Sequence, residues 1–242
     1  MDAIRIENLT KKYKDITAVD NLSLSIKEGE LFSLLGVNGA GKTTTIKMLS
    51  CLTAATDGDA FVFGKSICKN AADVKSLIAV SPQETAVAAG LSVKENLMLI
   101  CGIHCISKDE REEKISELIK LLGLGSVINK KAGKLSGGYQ RRLSIAMALI
   151  SEPKVLFLDE PTLGLDVLVR SEMWDIIRSL KGKVTIVLTT HYMEEAEALS
   201  DRIAIMKDGK LLICDTADNI KEKAGADSLE NAFVTIVKGA VK

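Results

Sequence analysis

Leu31-Phe-Ser-Leu-Leu35 runs straight into Gly36-Val-Asn-Gly-Ala-Gly41-Lys42-Thr43-Thr44. The first five residues are apolar but for Ser33, as in a strand buried on both faces of a parallel sheet. The next eight fit G-x-x-x-x-G-K-[ST], followed by a segment of helical character from Thr43 to Cys51. The strand before and the helix after separate this match from a chance one. Glycines let successive backbone N–H groups turn inward, and the helix start adds partial positive charge, so Gly36, Val37, Asn38, Gly39, Ala40, Gly41 and Thr44 read as a phosphate cradle. Lys42 supplies a full charge to β- and γ-phosphates, and the Thr43 hydroxyl suits Mg²⁺.

A second strand of the same kind, Val155-Leu-Phe-Leu158, ends in Asp159-Glu160. Ligands of open α/β sheets sit beyond the carboxyl ends of the strands, so both acids can face the phosphate loop. Asp159 is placed to hold Mg²⁺ through its water shell, and Glu160 to polarise an attacking water. Alone, such a pair is an ordinary solvated strand end; beside the phosphate loop it becomes chemistry.

Around these two strands the pattern is mixed. Ile4 and Ile6 alternate, as do Leu22, Leu24 and Ile26, with a turn at residues 27–30. Phe61 and Phe63 suggest a further alternating strand, and Leu77–Val80 a buried one. From about 84 to 150 the period becomes helical. Ser92 with Glu95 and Ser107 with Glu110 form capping boxes, and Ile115, Leu118, Ile119 and Leu122 make a stripe stopped by Gly123. Strands return at Val155–Leu158 and Val184–Leu188. Arg202–Met206 and Lys210–Cys214 flank Asp208-Gly209, a hairpin signal. The chain reads as one α/β domain over 1–242 with a helical lobe at roughly 84–150 and a short tail at roughly 216–242.

Composition narrows the function. Lys+Arg and Asp+Glu both number 32, so bulk charge gives no reason to expect nucleic acid or an anionic membrane surface as partner. The longest uncharged apolar run, Leu97–Ile106, falls well short of the roughly 20 residues that span a bilayer, and the N-terminus has no signal-peptide core. The expected location is cytoplasmic, with any membrane role exercised from outside the lipid. The five cysteines form no zinc-like set; Cys101 and Cys105, one helical turn apart, are the single spacing that suggests metal or redox work.

Leu135-Ser136-Gly137-Gly138-Tyr139-Gln140 resembles the signature of the ABC transporter ATP-binding subunits, and the other motifs then fall into that family's order from about residue 4 to 215. The resemblance implies a P-loop NTPase fold: a RecA-like core, an N-terminal antiparallel β-subdomain and an inserted helical subdomain. It implies that Tyr13 stacks on adenine, that Gln83 is a catalytic residue and Mg²⁺ ligand joining the nucleotide site to the helical lobe, and that His191 contacts the γ-phosphate. Ser136 caps a second glycine-flanked helix start, an anion site in its own right. In the family, Ser136, Gly137, Gly138 and Gln140, with Asp166 of Leu163-Gly-Leu-Asp166, act on ATP held by the other subunit. The cofactors expected are ATP and Mg²⁺. The partners expected are a second ATPase subunit, identical or homologous, and integral membrane transporter subunits, with no nucleic acid; the chain would sit on the cytoplasmic face of the cell membrane.

Val37 stands where many relatives have proline, of little consequence where the backbone does the binding. Two alternatives within the superfamily act on nucleic acid or the ribosome, but one group needs long coiled-coil or zinc-bearing insertions and the other two cassettes in one chain. Among transporters, export is expected, because the cassette motifs end soon after Cys214 and Leu229-Glu-Asn-Ala-Phe233 resembles the closing segment of exporter cassettes. Phe233–Val237 is β-rich by propensity, against the helix that resemblance implies. Ala86, Val87, Ala88, Ala89 and Leu91 are the apolar residues nearest Gln83 that could face a membrane partner.

Overall fold

The computed structural model describes residues 1–239. In chain order the elements are β1 (Asp2–Tyr13), β2 (Ile16–Lys27), β3 (Leu31–Leu35), α1 (Lys42–Leu49), β4 (Asp57–Val62), β5 (Lys65–Ser66), α2 (Ala71–Leu77) and β6 (Ile78–Ser81). Three helices follow, α3 (Val93–Ile103), α4 (Lys108–Leu121) and α5 (Gly137–Leu149). The chain then runs through β7 (Val155–Asp159), α6 (Val167–Leu180), β8 (Thr185–Thr190), α7 (Met193–Leu199), β9 (Arg202–Lys207), β10 (Lys210–Asp215), α8 (Ala217–Ala224) and α9 (Leu229–Val237).

Two sheets result. One has the order β2-β1-β4-β5 and is antiparallel; the other has the order β10-β9-β3-β8-β7-β6 and is parallel except for the β9–β10 hairpin at its edge. Period-two alternation explains why the central strands look uniformly apolar. Leu156 and Leu158 of β7 and Ile186 and Leu188 of β8 join one core with Leu143 and Ile145 of α5 and Ile177 of α6. Phe157 and Val187 point the other way, into a core shared with Ile4 of β1, Leu22 of β2 and Ile46 of α1. Both faces are covered, so neither can be polar. A third cluster joins Leu35, Ile203 and Ile205 to Ile220 of α8 and Phe233 of α9.

Between β6 and β7 the regular elements are helical. Ser92 forms a full capping box with Glu95, while Ser107 forms half of one: its hydroxyl accepts from the Glu110 N–H, and the Glu110 carboxylate returns to that hydroxyl rather than to the backbone. Cys101 is buried and Cys105 exposed, so the pair does not share an environment. Phe63 lies past the end of β4 at φ 46°, outside the alternation that Phe61 belongs to. The tail is helical. Ser228 caps α9, and Leu229, Ala232 and Phe233 are buried, so packing of one helical face outweighs the strand preference of Phe233–Val237.

Candidate active site

The order of the parallel strands builds the site. β3, β8, β7 and β6 are successive neighbours, and at their carboxyl ends they deliver, in that spatial order, the phosphate loop, His191, the Asp159–Glu160 pair and Gln83. Crossovers thus gather groups that are far apart in sequence.

The loop is compressed between other backbones. Gly41, the N-cap of α1, has φ 100°, and a Cβ there would meet the Ala18 carbonyl at 2.4 Å. A Cβ on Gly36 would meet the Met206 carbonyl at 2.6 Å. The Asp208–Gly209 turn closes the wall: Gly209 N–H donates to the Ala40 carbonyl at 3.2 Å, and Asp20 N–H to the Gly209 carbonyl at 2.9 Å. Lys42 is buried and folds back over the loop. Its Nζ donates to the carbonyls of Gly36 at 2.7 Å and Val37 at 3.3 Å, and lies 3.5 Å from Glu160 Oε1.

Consecutive strand residues face opposite ways, so Asp159 and Glu160 can meet one site only if the strand turns between them. It does: Glu160 has φ 51°, a conformation non-glycine residues adopt at some cost. Its N–H donates to Thr189 Oγ1 at 3.0 Å and to the Thr189 carbonyl at 3.1 Å, which holds the turn. Glu160 Oε2 then lies 2.7 Å from His191 Nδ1. Asp159 Oδ1 accepts from Thr43 Oγ1 at 3.1 Å and from Thr189 Oγ1 at 2.5 Å. Two hard oxygen groups side by side, Thr43 on the cavity wall and Asp159 hydrogen-bonded behind it, suit Mg²⁺, which takes one or two protein oxygens and keeps its remaining coordination for water and phosphate.

A cavity of about 800 Å³ is lined by Tyr13, Asn38–Thr44, Gln83, Glu160, Leu163, His191 and Asp208. Gly36 and Val37 line an adjoining one with His191 and Phe233 of α9. Tyr13 is exposed, with Lys11 Nζ 4.9 Å from its ring centroid. Ser136, Gly137, Gly138, Gln140 and Asp166 line neither cavity. Ser136 occupies the N-cap position of α5 but makes no side-chain cap bond, a departure from the capping expected of it. Gln140 Nε2 donates to the Ala132 carbonyl at 3.0 Å, and Asp166 caps α6 by accepting from Val169 N–H at 3.0 Å.

Arg141 escaped the sequence reading. Buried on α5, it donates through Nη1 to the Pro82 carbonyl at 2.5 Å and through Nη2 to the Gln83 carbonyl at 2.6 Å, tying the helix that starts at Ser136 to the Gln83 loop. Burial works against its charge, while the Asp159 and Glu195 carboxylates favour it. An arginine beside the signature was visible in sequence; that its targets are two backbone carbonyls was not.

A glycine-rich loop between strand and helix, with an acid pair on the next strand but one, defines a P-loop nucleoside triphosphatase. Residues 19–163 match the family model described as ABC transporter, and the chain belongs to that family. It is 40% identical over 92% of its length to the human phospholipid-transporting ATPase ABCA3, covering 13% of that protein. It is 37% identical over 97% of its length to the Escherichia coli protein YbhF, named a probable multidrug ABC transporter ATP-binding protein, covering 41% of it. The chain thus spans less than half the length of these curated relatives. Among solved structures, an ATP-binding subunit of an ABC transporter superposes with TM-score 0.86 at 26% identity, covering 97% of this chain and 99% of that one. A dimer of the ATP-binding cassette MJ0796, in a post-hydrolysis state with ADP and phosphate, superposes with TM-score 0.79 at 29% identity over 88% of this chain and 98% of that one. Among the described residues, no helix is long and apolar enough to cross a membrane.

Proposed function

We propose that residues 1–242 form one cassette, with a helical lobe at roughly 84–150 and a short tail at roughly 216–242, that binds and hydrolyses ATP to drive export by membrane subunits. The observation that carries this reading is the convergence of Lys42, Thr43, Asp159, Glu160 and His191 at adjacent strand ends beside one cavity. The loop N–H groups from Gly36 to Thr44 and the Lys42 ammonium bind the phosphates, and Tyr13 stacks on the adenine. Thr43 and Asp159, with Gln83, would hold Mg²⁺, which neutralises charge on the β- and γ-phosphate oxygens when bound. Glu160 orients and polarises the water that attacks the γ-phosphorus, and the β-phosphate oxygen leaves with the bond electrons. His191 has Nδ1 committed to Glu160, so phosphate contact falls to Nε2.

Two chains, identical or homologous, would close head to tail on two ATP molecules. Support comes from the exposed Ser136 and Gly137 and from the uncapped start of α5, which leaves its N–H groups available to a phosphate from outside the chain. Gln140 and Asp166 hold those segments in shape through their own-chain bonds while facing the same partner. ATP stabilises the closed pair by mass action, and hydrolysis removes contacts specific to it. A membrane subunit docking near Gln83, on Ala86–Leu91, would receive that motion through Arg141, with the cassette on the cytoplasmic face. The phospholipid and multidrug names of the relatives favour export.

The decisive experiment purifies the chain with whatever membrane protein accompanies it in mild detergent and follows phosphate release from ATP-Mg²⁺. Release that depends on Glu160, in a complex with an integral membrane protein, supports the reading. Absence of release with and without that partner overturns it.

A further inference from the structure

Glu195 is wholly buried near the start of α7, four residues after His191, and the scheme above gives it no task. Its Oε1 accepts two hydrogen bonds, from Thr162 Oγ1 at 2.7 Å and from Trp174 Nε1 at 3.1 Å; its Oε2 has no partner among the described residues. An acid is a costly occupant here. Burial pushes its carboxyl pKa up and the Glu160 carboxylate adds to that shift, while the nearby Thr190 hydroxyl and the Thr162 and Trp174 bonds work against it. An apolar side chain would fill the space without that cost.

The bonded residues explain the choice. Thr162 lies two residues past Glu160, in the loop that ends at Asp166, and is itself buried. Trp174 belongs to α6, which that loop feeds. One carboxyl oxygen therefore joins the loop leaving Glu160, the helix following His191 and the helix behind both.

We propose that Glu195 is a positioning residue for ATP hydrolysis: its Oε1 holds the Glu160 loop against the His191 segment and so sets, from behind, the 2.7 Å approach of Glu160 to His191. The proposal rests on the reading of Glu160 and His191 as hydrolytic residues. What matters in it is the acceptor, not the charge. Small displacements of an oriented general base cost up to about a hundredfold in rate while leaving substrate binding alone.

Glu195→Leu, which keeps volume and removes the acceptor, should lower kcat about tenfold to a hundredfold with KM for ATP within about twofold of the parent. Glu195→Gln keeps a carbonyl acceptor and should retain about half the parent kcat or more. Thr162→Val removes one donor from the other side and should lower kcat in the same way; it carries the test alone should Glu195→Leu fail to fold. The double variant should be no slower than the slower single one, since both cut the same tie. Trp174 is the sole tryptophan, so its emission should shift in Glu195→Leu and stay near the parent's in Glu195→Gln. A purely structural role would lower the melting temperature and leave kcat per folded molecule unchanged. Parent-like kcat in Glu195→Leu or Thr162→Val overturns the proposal, and so does Glu195→Gln as impaired as the leucine variant. Glu160→Gln, measured in parallel, separates the two readings: if it is inactive while Glu195→Leu is not, only the tie fails; if it turns over like the parent, the hydrolytic assignment itself fails.

Discussion

The chain has two glycine-flanked helix starts, and they are finished differently. At α1 the phosphate loop is walled by Ala18, Met206 and Gly209, and its own chain supplies Lys42, Asp159, Glu160 and His191 around it. At α5 there is an exposed serine with no cap bond and two glycines, and none of the three lines the cavity. The same local device, a helix start with its dipole, is surrounded by side chains of its own chain in one place and left bare in the other. A helix start acquires chemistry from what other strands bring to it; under the proposed function the bare one is completed by a second chain.

The contrast breaks most visibly at Glu160. Glu160→Gln should cut phosphate release by about three orders of magnitude or more, with ATP binding by calorimetry retained and an ATP-trapped dimer visible by light scattering. Turnover like the parent's would remove the first helix start's claim to a complete site. Lys42→Ala should weaken ATP binding about tenfold to a hundredfold, because a charge-assisted phosphate contact disappears; unchanged affinity would contradict its role.

Ser136→Arg attacks the other helix start. ATP affinity of the isolated chain should stay within about twofold, since Ser136 is outside the cavity. On a Glu160→Gln background, however, ATP-driven dimerisation should be lost. Mixing with Lys42→Ala chains should restore part of the signal, as one composite site then has an intact loop facing an intact signature. A variant that dimerises like its parent means α5 is no interface element.

The smallest effect is the sharpest comparison. Ser92→Ala breaks a full capping box and should cost about 1 kcal/mol in urea denaturation, whereas Ser136→Ala, with no cap bond to lose, should stay within about 0.5 kcal/mol. Equal losses would show that the Ser136 hydroxyl serves its own helix after all.

Local signals were the legible ones. The Asp208-Gly209 hairpin is built as its dipeptide predicts, with φ 48° and 77° at the two residues, and β3, β7 and β8 match their apolar runs to within two residues. Less legible were β1 and β2, twelve residues each, whose alternation is broken by register shifts and by left-handed Asn8 and Asn21. The same division holds in the site. Lys42, Thr43, Asp159 and His191 could be read from motifs. The turn at Glu160, the Arg141 bonds to Pro82 and Gln83, and the Glu195 junction could not, because each depends on partners that only folding brings near.

The wall of the phosphate loop has a consequence for how the protein is made. Gly36 leaves the ribosome well before Met206 and Gly209, which back the loop, and β3 finds its hydrogen-bonded neighbours only in β8 and β9. Everything from the loop to Gly209 must be synthesised before the wall begun by Ala18 can be completed. Until then an apolar strand without partners waits in the open, the interval in which aggregation and chaperone capture compete with folding. The glycine loop is encoded early in that interval and takes its walled shape only at the end of it.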